Sequence, residues 1–283
     1  MNVLISGSTG LVGKKLTAAF TAAGHSVTAL NRPDFSDIRG LLIPKVESSD
    51  AVIHLAGAPI VARWSEHYKK EIMSSRIDTT AALVKAIQTS VVKPSIFIST
   101  SAVGIYPDGQ IFTEKDTQYD PGFLGKVCHA WEGEAFKATA VTNVAVFRLG
   151  IVLSKDGGAL PKMLLPFRFG LGGKIASGKQ GFSWIHIDDL INAYRFVVEK
   201  KLSGVFNLTS PGMTDNAGFT TSLSRVLRRP ALLPVPAFGL KLIYGEGATA
   251  LTSGQKVAPE RLLEAGFEFR YPELEAALKE LVG

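Results

Sequence analysis

The sequence predicts an α/β protein with a doubly wound parallel sheet and a smaller C-terminal region. Three observations predict this class. Short apolar runs alternate with longer segments of helical spacing over the first 150 residues, and a glycine-rich turn follows the first apolar run. After residue 155 this alternation gives way to a glycine-rich stretch. Strands that alternate with helices favour a parallel sheet covered on both faces.

The predicted elements follow one another in strand and helix order. Strands are expected at residues 3–5, 27–30, 51–56, 96–99 and 144–149, with helices at 11–23, 68–89 and 131–140. Residues 157–181 contain seven glycines and are expected to form mainly a long mobile loop around an amphipathic stretch. We therefore divide the chain into a core, 1–155, and a C-terminal region, 156–283, which caps the core and interleaves with it.

The composition excludes several classes of protein. Of the 283 residues, 46% are hydrophobic and 20% are charged, which excludes wholesale disorder. The single cysteine, Cys128, cannot form an intramolecular disulfide or a zinc-thiolate site, and the five histidines show no short ligand spacing, so no metal is expected. There is no run of about 18 apolar residues and no basic leader before an apolar core. We therefore expect a cytoplasmic protein without a membrane partner.

The net charge of +6 indicates an anionic partner without identifying it. The basic residues occur in scattered pairs and lie in no helix-turn-helix or RNA-binding motif, so nucleic acid is an unlikely partner. A small anionic molecule is the favoured alternative.

The glycine-rich turn has the pattern G-x-x-G-x-x-G, with glycines at 7, 10 and 13. In dinucleotide-binding turns the first glycine permits the tight turn, the second lets a pyrophosphate approach, and the third lets the helix pack on the sheet. The helix N-terminus adds free N–H groups and partial positive charge. A turn without a ligand is the alternative. The predicted phosphate-binding residues are Gly7, Ser8, Thr9, Gly10, Leu11, Val12 and Gly13.

The second predicted strand ends at Asn31 and Arg32. A site that selects NAD normally places an acid here to accept the ribose hydroxyl hydrogens. A neutral and a cationic residue favour a 2′-phosphate, so we expect NADP(H) as the cofactor. The alternative is a solvated surface arginine.

Four segments resemble the extended short-chain dehydrogenases/reductases: residues 3–13, AVIHLAG at 51–57, STSAVGIY at 99–106 and SWIHIDDL at 183–190. Segments such as RWSEHYKKEIMSSRIDTT and LPKMLLPFRFGLGG are similar to the atypical epimerase-family branch known as family 39U. The resemblance covers nearly the whole chain and implies a Rossmann-like fold with a small C-terminal α/β substrate-side region. It also implies further cofactor-binding residues, namely Leu55, Ala56, Gly57, Glu71, Arg76, Ser99, Thr100, Ile151 and Val152.

The catalytic pattern of that family is broken in this sequence. Extended members use a serine or threonine together with a Tyr-x-x-x-Lys pair, in which the lysine lowers the pKa of the tyrosine and the tyrosine moves a proton. No Tyr-x-x-x-Lys occurs in the chain, and Phe123 and Val127 stand where the pair is expected. Ser101 occupies the usual serine position. Tyr106 is a candidate replacement acid, with a packing or substrate-contact role as the alternative.

The helix predicted at 68–89 departs from the family as well. Extended members usually have an asparagine where Arg76 stands. The guanidinium could contact phosphate or ribose, with Glu71 orienting it or accepting a sugar hydroxyl; an ordinary exposed Glu–Arg pair is the alternative. His186 is expected to be structural and Cys128 to be a small buried hydrophobe.

Two functions are consistent with these features. One is an NADP(H)-binding oxidoreductase or epimerase-like protein that acts on an unknown small molecule, as a possible homodimer. The other is a non-catalytic NADP(H) sensor or interaction protein that has lost the chemistry.

Overall fold

The computed structural model describes residues 1–283. Its ten strands are β1 (Asn2–Ser6), β2 (Ser26–Leu30), β3 (Ala51–His54), β4 (Ile96–Ala102), β5 (Ile111–Phe112), β6 (Asn143–Leu149), β7 (Ile151–Leu153), β8 (Trp184–His186), β9 (Gly204–Leu208) and β10 (Lys256–Val257). The first six helices are α1 (Leu11–Ala22), α2 (Arg32–Ser36), α3 (Ile43–Glu47), α4 (Glu66–Thr89), α5 (Phe123–Phe136) and α6 (Leu160–Arg168). The other six are α7 (Ile187–Lys200), α8 (Asn216–Leu227), α9 (Ala237–Tyr244), α10 (Thr249–Thr252), α11 (Glu260–Glu264) and α12 (Leu274–Val282).

The central sheet has six parallel strands in the order β2-β1-β3-β4-β6-β9. Val3 and Ile5 point to a core shared with α1 and α7, whereas Leu4 points to a second core shared with α4 and α5. Because both faces are covered, the inner strands contain continuous apolar runs, such as residues 3–5, 51–53 and 96–98. The predicted fold class, a doubly wound Rossmann-like sheet, is confirmed.

The strand order reverses beside β1, since β2 lies on one side of it and β3 on the other. In open α/β sheets a ligand binds where the strand order reverses, outside the carboxyl ends of the strands. The topology therefore places the candidate site at residues 7–13 and 55–57.

No strand forms between β2 and β3. Residues 32–47 instead form α2, a π-helical turn (Ile38–Leu42) and α3. Leu42 and Val46 of this segment are fully buried in the core that faces α4. Strand β2 is therefore an edge of the sheet.

The C-terminal region differs from its prediction in one respect. The loop expected at 157–181 contains α6, whose residues Leu160, Leu164 and Phe167 are buried against Trp184. Their spacing of four and three residues places them on one helix face, so the amphipathic stretch expected within the loop is a buried helix at residues 160–168 and the loop is shorter than predicted. Helix α7 and strand β9 lie within the layers of the core, so the region after residue 155 is interleaved with it.

Two short strand pairs lie outside the central sheet. Strand β7 pairs with β8, and β5 pairs with β10. None of the twelve helices combines the length and the apolar character needed to cross a bilayer.

Candidate functional site

The turn after β1, residues 7–13, forms a cradle whose shape depends on its three glycines. Gly7 has a φ of +71°, a conformation that other residues rarely adopt. A Cβ at Gly13 would clash with the Gly7 carbonyl oxygen and lie 2.6 Å from the Cα of Ser8, so the helix packs against the turn only with glycine there. A Cβ at Gly10 would meet only the Gly7 oxygen, at 3.3 Å, and Gly10 is exposed. Gly10 therefore leaves open space for a ligand to approach.

The N-terminus of α1 opens into this cradle. The helix begins at Leu11 after Gly10, without a side-chain cap and without an acidic residue in its first turn. Its first N–H groups have no partner within the helix. An anion in the cradle would satisfy these donors and interact favourably with the helix dipole.

Two further loops meet the glycine turn. A Cβ at Gly7 would lie 3.1 Å from the carbonyl carbon of Leu55, and one at Gly158 would lie 3.1 Å from the Leu11 side chain. The structure therefore brings together residues 7–13, 55–57 and the loop that follows β7. Ile151 and Val152 are half-buried in β7 at the start of that loop.

A buried hydrogen-bonded group that the sequence reasoning missed, formed by Ser6, His54 and Thr79, holds the loop after β3 against the end of β1. The backbone N–H groups of Leu55 and Ala56 donate to Ser6 Oγ at 3.1 and 3.3 Å. The Ser6 hydroxyl lies 2.5 Å from His54 Nδ1, and Thr79 Oγ1 lies 3.1 Å from His54 Nε2. Because Ser6 already accepts two bonds, its proton is free for Nδ1, which places the imidazole hydrogen on Nε2. A histidine inside the apolar strand AVIH was the available signal.

Burial, together with the smaller effect of the nearby Arg76 charge, lowers the pKa of His54 to about 3. The imidazole is therefore neutral at physiological pH. It acts as a fixed hydrogen-bonding link between β1 and α4, through Ser6 and Thr79.

The end of β2 presents a cation outward and an acid inward. Arg32 is exposed at the first position of α2 and forms no ion pair. Asp34 is buried, and its carboxylate accepts from the backbone N–H of Asn31 at 2.7 Å and from Lys45 Nζ at 2.7 Å. The nearest acid is thus engaged by the protein itself, which leaves Arg32 to face solvent.

Arg76 is buried beneath the loop that follows β3. Its Nη1 donates to the Ile72 carbonyl at 3.0 Å and its Nη2 to the Ala58 carbonyl at 2.9 Å. A Cβ at Gly57 would lie 2.9 Å from the guanidinium carbon, so glycine at 57 lets the cation approach that loop. Burial lowers the pKa of Arg76. No carboxylate pairs with this guanidinium.

The predicted pairing of Glu71 with Arg76 is wrong. Five residues on an α-helix turn by about 140°, so the two side chains leave α4 in different directions. Glu71 is exposed and makes no hydrogen bond or ion pair with Arg76. Contact of either residue with a cofactor stays a prediction.

Ser101 is engaged by a buried ion pair that the sequence reasoning also missed. Its hydroxyl donates to Glu132 Oε1 at 2.7 Å. Arg148 Nε donates to the same oxygen at 2.9 Å, and its Nη2 donates to Glu132 Oε2 at 2.7 Å. All three side chains are at least nine-tenths buried. Ser101 therefore stands at the family's serine position with its proton already donated within the protein.

The structure contradicts the proposed role of Tyr106 as a replacement acid. Its ring is fully buried and stacks on Phe112 at 5.1 Å. Its hydroxyl donates to an acceptor on Thr113 or Asn207, and it accepts from Arg148 Nη1 at 2.6 Å. Burial raises the pKa of Tyr106 in spite of the adjacent Arg148. The hydroxyl is therefore fully hydrogen-bonded within the protein and is not available to a substrate. Tyr106 has the packing role that was the alternative.

Phe123 and Val127 both lie on α5, which starts eight residues earlier than the helix predicted at 131–140. Phe123 packs edge-on against Trp64 at 5.2 Å, and Val127 is buried beside Ile72. The positions of the family's tyrosine and lysine are therefore filled by an apolar cluster.

The remaining predicted residues are placed as follows. Ser99 and Thr100 are buried near the end of β4, and the Thr100 hydroxyl lies 2.8 Å from that of Tyr194 on α7. Burial and the Glu132 carboxylate raise the pKa of Cys128 to about 11, as expected for a small buried hydrophobe. His186 caps α7 by accepting from the Asp188 N–H at 3.1 Å, which is a structural role.

The chain resembles proteins of known family over its whole length. Residues 3–209 match the NAD dependent epimerase/dehydratase family, and residues 235–281 match a domain of unknown function. The chloroplastic homolog of the epimerase family protein SDR39U1 from Arabidopsis thaliana is 39% identical over 302 residues, covering 100% of this chain and 87% of the relative.

Two solved structures share the fold, and their sequences are 36% and 33% identical to this chain. Human epimerase family protein SDR39U1, solved with NADPH, has a TM-score of 0.90 and 36% identity, and 99% of each chain is covered. A nucleoside-diphosphate sugar epimerase from Corynebacterium glutamicum has a TM-score of 0.79 and 33% identity, over 100% of this chain and 58% of that one. This chain therefore belongs to the NAD dependent epimerase/dehydratase family and, within it, to the SDR39U1 type.

Proposed function

We propose that the protein binds NADP(H) at the carboxyl edge of its sheet and acts on a small molecule without a tyrosine proton relay. The observation that carries the proposal is the cradle at residues 7–13, which is open at Gly10 and faces the uncapped N-terminus of α1. The solved human relative with NADPH supports the choice of cofactor.

Each part of the dinucleotide has a matching feature in the chain. The diphosphate would lie in the cradle, where backbone N–H groups and the helix dipole favour an anion. A 2′-phosphate would meet Arg32, because Asp34 is turned inward to Lys45. The loops at 55–57 and 151–158 flank the same edge, where the cofactor, when bound, supplies hydride chemistry.

The reaction end of the site limits what the chain's own residues can do. Ser101 donates to Glu132, Tyr106 is enclosed, and Phe123 and Val127 carry neither a proton nor a charge. Any proton that accompanies a hydride must then come from the substrate or from water. A non-catalytic NADP(H) sensor is the second candidate, and the same engagement of Ser101 is the observation that favours it.

The binding proposal is tested by Gly10→Val, followed by titration of NADPH fluorescence. The isopropyl group fills the open space at the cradle, so we expect binding to be lost while the fold persists. Gly133→Val is the matched control, since a Cβ at Gly133 on α5 has no neighbour within 4 Å. Unchanged NADPH binding by Gly10→Val would refute the proposed cradle.

The choice between cofactors is tested by Arg32→Asp. An acid at the end of β2 would repel a 2′-phosphate and accept a ribose hydroxyl hydrogen, so preference should shift from NADPH towards NADH. Arg39→Asp, at a nearby exposed arginine without an ion pair, makes the same change in charge and should leave the ratio unaltered. An unaltered ratio in Arg32→Asp would reject the 2′-phosphate assignment.

Catalysis and sensing are separated by turnover. The protein is incubated with NADPH and a panel of carbonyl compounds and nucleotide sugars, and cofactor oxidation and epimer formation are measured. Turnover that disappears in Gly10→Val identifies an enzyme. Tight NADPH binding without turnover across the panel favours the sensor.

A further inference from the structure

Two segments of the chain hold cations without any acidic residue. Residues 157–181 and 216–245 contain eight of the 31 lysines and arginines and none of the 25 aspartates and glutamates. All eight are exposed, and only Arg225 forms an ion pair, with Glu275 at 2.8 Å. The rest of the chain holds more acids than bases, so the whole positive surplus lies in these two segments.

The same two segments hold most of the strongly exposed apolar side chains. Nine large apolar residues are at least 58% exposed, and seven of them lie in these segments. The other two, Val91 and Val92, are adjacent to each other elsewhere on the surface. The seven are Leu165, Phe169, Leu171, Leu232, Phe238, Leu242 and Ile243.

The two segments lie side by side. The backbone N–H of Leu233 donates to the Gly172 carbonyl at 3.2 Å, that of Val235 donates to Lys174 at 2.9 Å, and that of Ala176 donates to Val235 at 2.9 Å. Helix α9 starts two residues after Val235 and buries none of its eight residues. Phe238 and Leu242 are four apart and share one face of that helix. We call the exposed residues of 168–174 and 228–243 the basic apolar surface.

We propose that the basic apolar surface docks the protein on an anionic phospholipid bilayer. Interfacial segments bind by burying phenylalanine and leucine side chains at the headgroup boundary while lysine and arginine meet anionic lipids. This surface offers both, and no acid within it opposes the lipid charge. The expectation of no membrane partner was based on the lack of a spanning segment, and interfacial docking needs none.

The charge argues against a second copy of the chain as the occupant. A two-fold interface places the same patch of both subunits face to face. The facing patch would then offer no acid to the unpaired cations such as Arg229 and Lys241, because neither segment contains one. Single-stranded nucleic acid would neutralise the cations, but it binds by stacking successive bases on aromatic rings, and only two of the seven exposed apolar side chains, Phe169 and Phe238, are aromatic.

The test is co-sedimentation of the full chain with vesicles of phosphatidylcholine alone or of phosphatidylcholine with phosphatidylglycerol. We expect binding to the anionic vesicles that weakens as salt is raised. The triple variant Lys174→Glu/Arg229→Glu/Lys241→Glu should bind at least ~10-fold more weakly, because each basic residue near an anionic surface contributes attraction. Phe238→Ser/Leu242→Ser should also bind more weakly, through loss of apolar contact.

Matched controls carry the same chemical changes elsewhere. Lys70→Glu/Lys85→Glu/Lys126→Glu changes the net charge equally at exposed lysines, and Val91→Ser/Val92→Ser removes exposed apolar groups. Both should bind vesicles like the unaltered protein, and unchanged NADPH binding shows that each variant is folded. Absence of binding to anionic vesicles would overturn the proposal, including the case in which an acidic polypeptide or RNA binds instead. Equal loss in the control variants would overturn it as well.

Discussion

The two ends of the candidate site are built in opposite ways. At the glycine turn, the first N–H groups of α1 have no partner within the helix, and Arg32 is exposed without an ion pair. At the reaction end, Ser101 donates to Glu132, and Tyr106 is held by Arg148. The polar groups at the glycine turn are available to a ligand, whereas those at the reaction end are hydrogen-bonded to one another.

Under the proposed function, binding and proton transfer would depend on different parts of the fold. Dinucleotide recognition depends on backbone geometry that three glycines set, whereas proton transfer depends on side chains that can be replaced singly. A buried ion pair at the reaction end gives rigidity, but its groups are no longer free to move protons. Variants at the two ends of the site test whether binding and proton transfer depend on separate residues.

Glu132→Gln should destabilise the fold without weakening NADPH binding. The change leaves the Arg148 guanidinium buried without a countercharge, which costs about 3 kcal/mol or more of unfolding free energy. Urea denaturation measures the loss, and fluorescence titration measures NADPH affinity. Glu134→Gln, two residues away in a surface pair with Lys137, should cost less than about 1 kcal/mol. A large loss of NADPH affinity in folded Glu132→Gln would show that the two ends are coupled.

Gly13→Ala should damage both the turn and the fold. The new methyl group would lie 2.6 Å from the Ser8 Cα and clash with the Gly7 carbonyl oxygen, both of them backbone atoms. Overpacking of this kind costs about 1–3 kcal/mol, and displacement of the turn should also abolish NADPH binding. Gly10→Ala adds the same methyl group where only the Gly7 oxygen is near, at 3.3 Å, so it should reduce urea stability less than Gly13→Ala while it still weakens NADPH binding. Similar stabilities for the two variants would contradict the geometry of the cradle.

The pH dependence of stability should report on His54. Burial holds the pKa of folded His54 at about 3, against 6.5 for an unperturbed histidine, so below pH 6.5 the unfolded chain binds more protons. The free energy of unfolding should therefore fall as the pH drops from 6.5 towards 3, by up to about 1.4 kcal/mol per pH unit. Comparison with His54→Gln isolates this contribution, because the carboxylates titrate in both proteins. Parallel pH profiles for the two would show that His54 is not held neutral.

The binding end was largely predictable from sequence because its signals are local. A run of apolar residues, three glycines at fixed spacing and a following helix lie within 22 residues, and the structure forms each of them in place. Arg32 was also found locally, two residues after the end of β2. The inward position of Asp34 was not, because it depends on Lys45 eleven residues away.

The reaction end was less predictable because its contacts are distant in sequence. Glu132 and Arg148 are sixteen residues apart, on a helix and a strand, and each resembles an ordinary charged residue. A signal did exist, since Arg148 interrupts the apolar strand NVAVFRL and Glu132 is the last residue of the largely apolar stretch VCHAWE. A charge within a buried strand needs a partner, but the sequence does not say which carboxylate supplies it.

The pairing of β5 with β10 has a consequence for the order in which the protein folds. Ile111 is paired with Lys256, across about half of the chain, and Val257 packs in the same cluster as Tyr106 and Cys128. Loop closure over such a distance is slow relative to local contacts. During synthesis the first strands and the glycine turn can form before strand β10 is available to pair with β5. The glycine turn would then be in place before Lys256 and Val257 complete the cluster that encloses Tyr106.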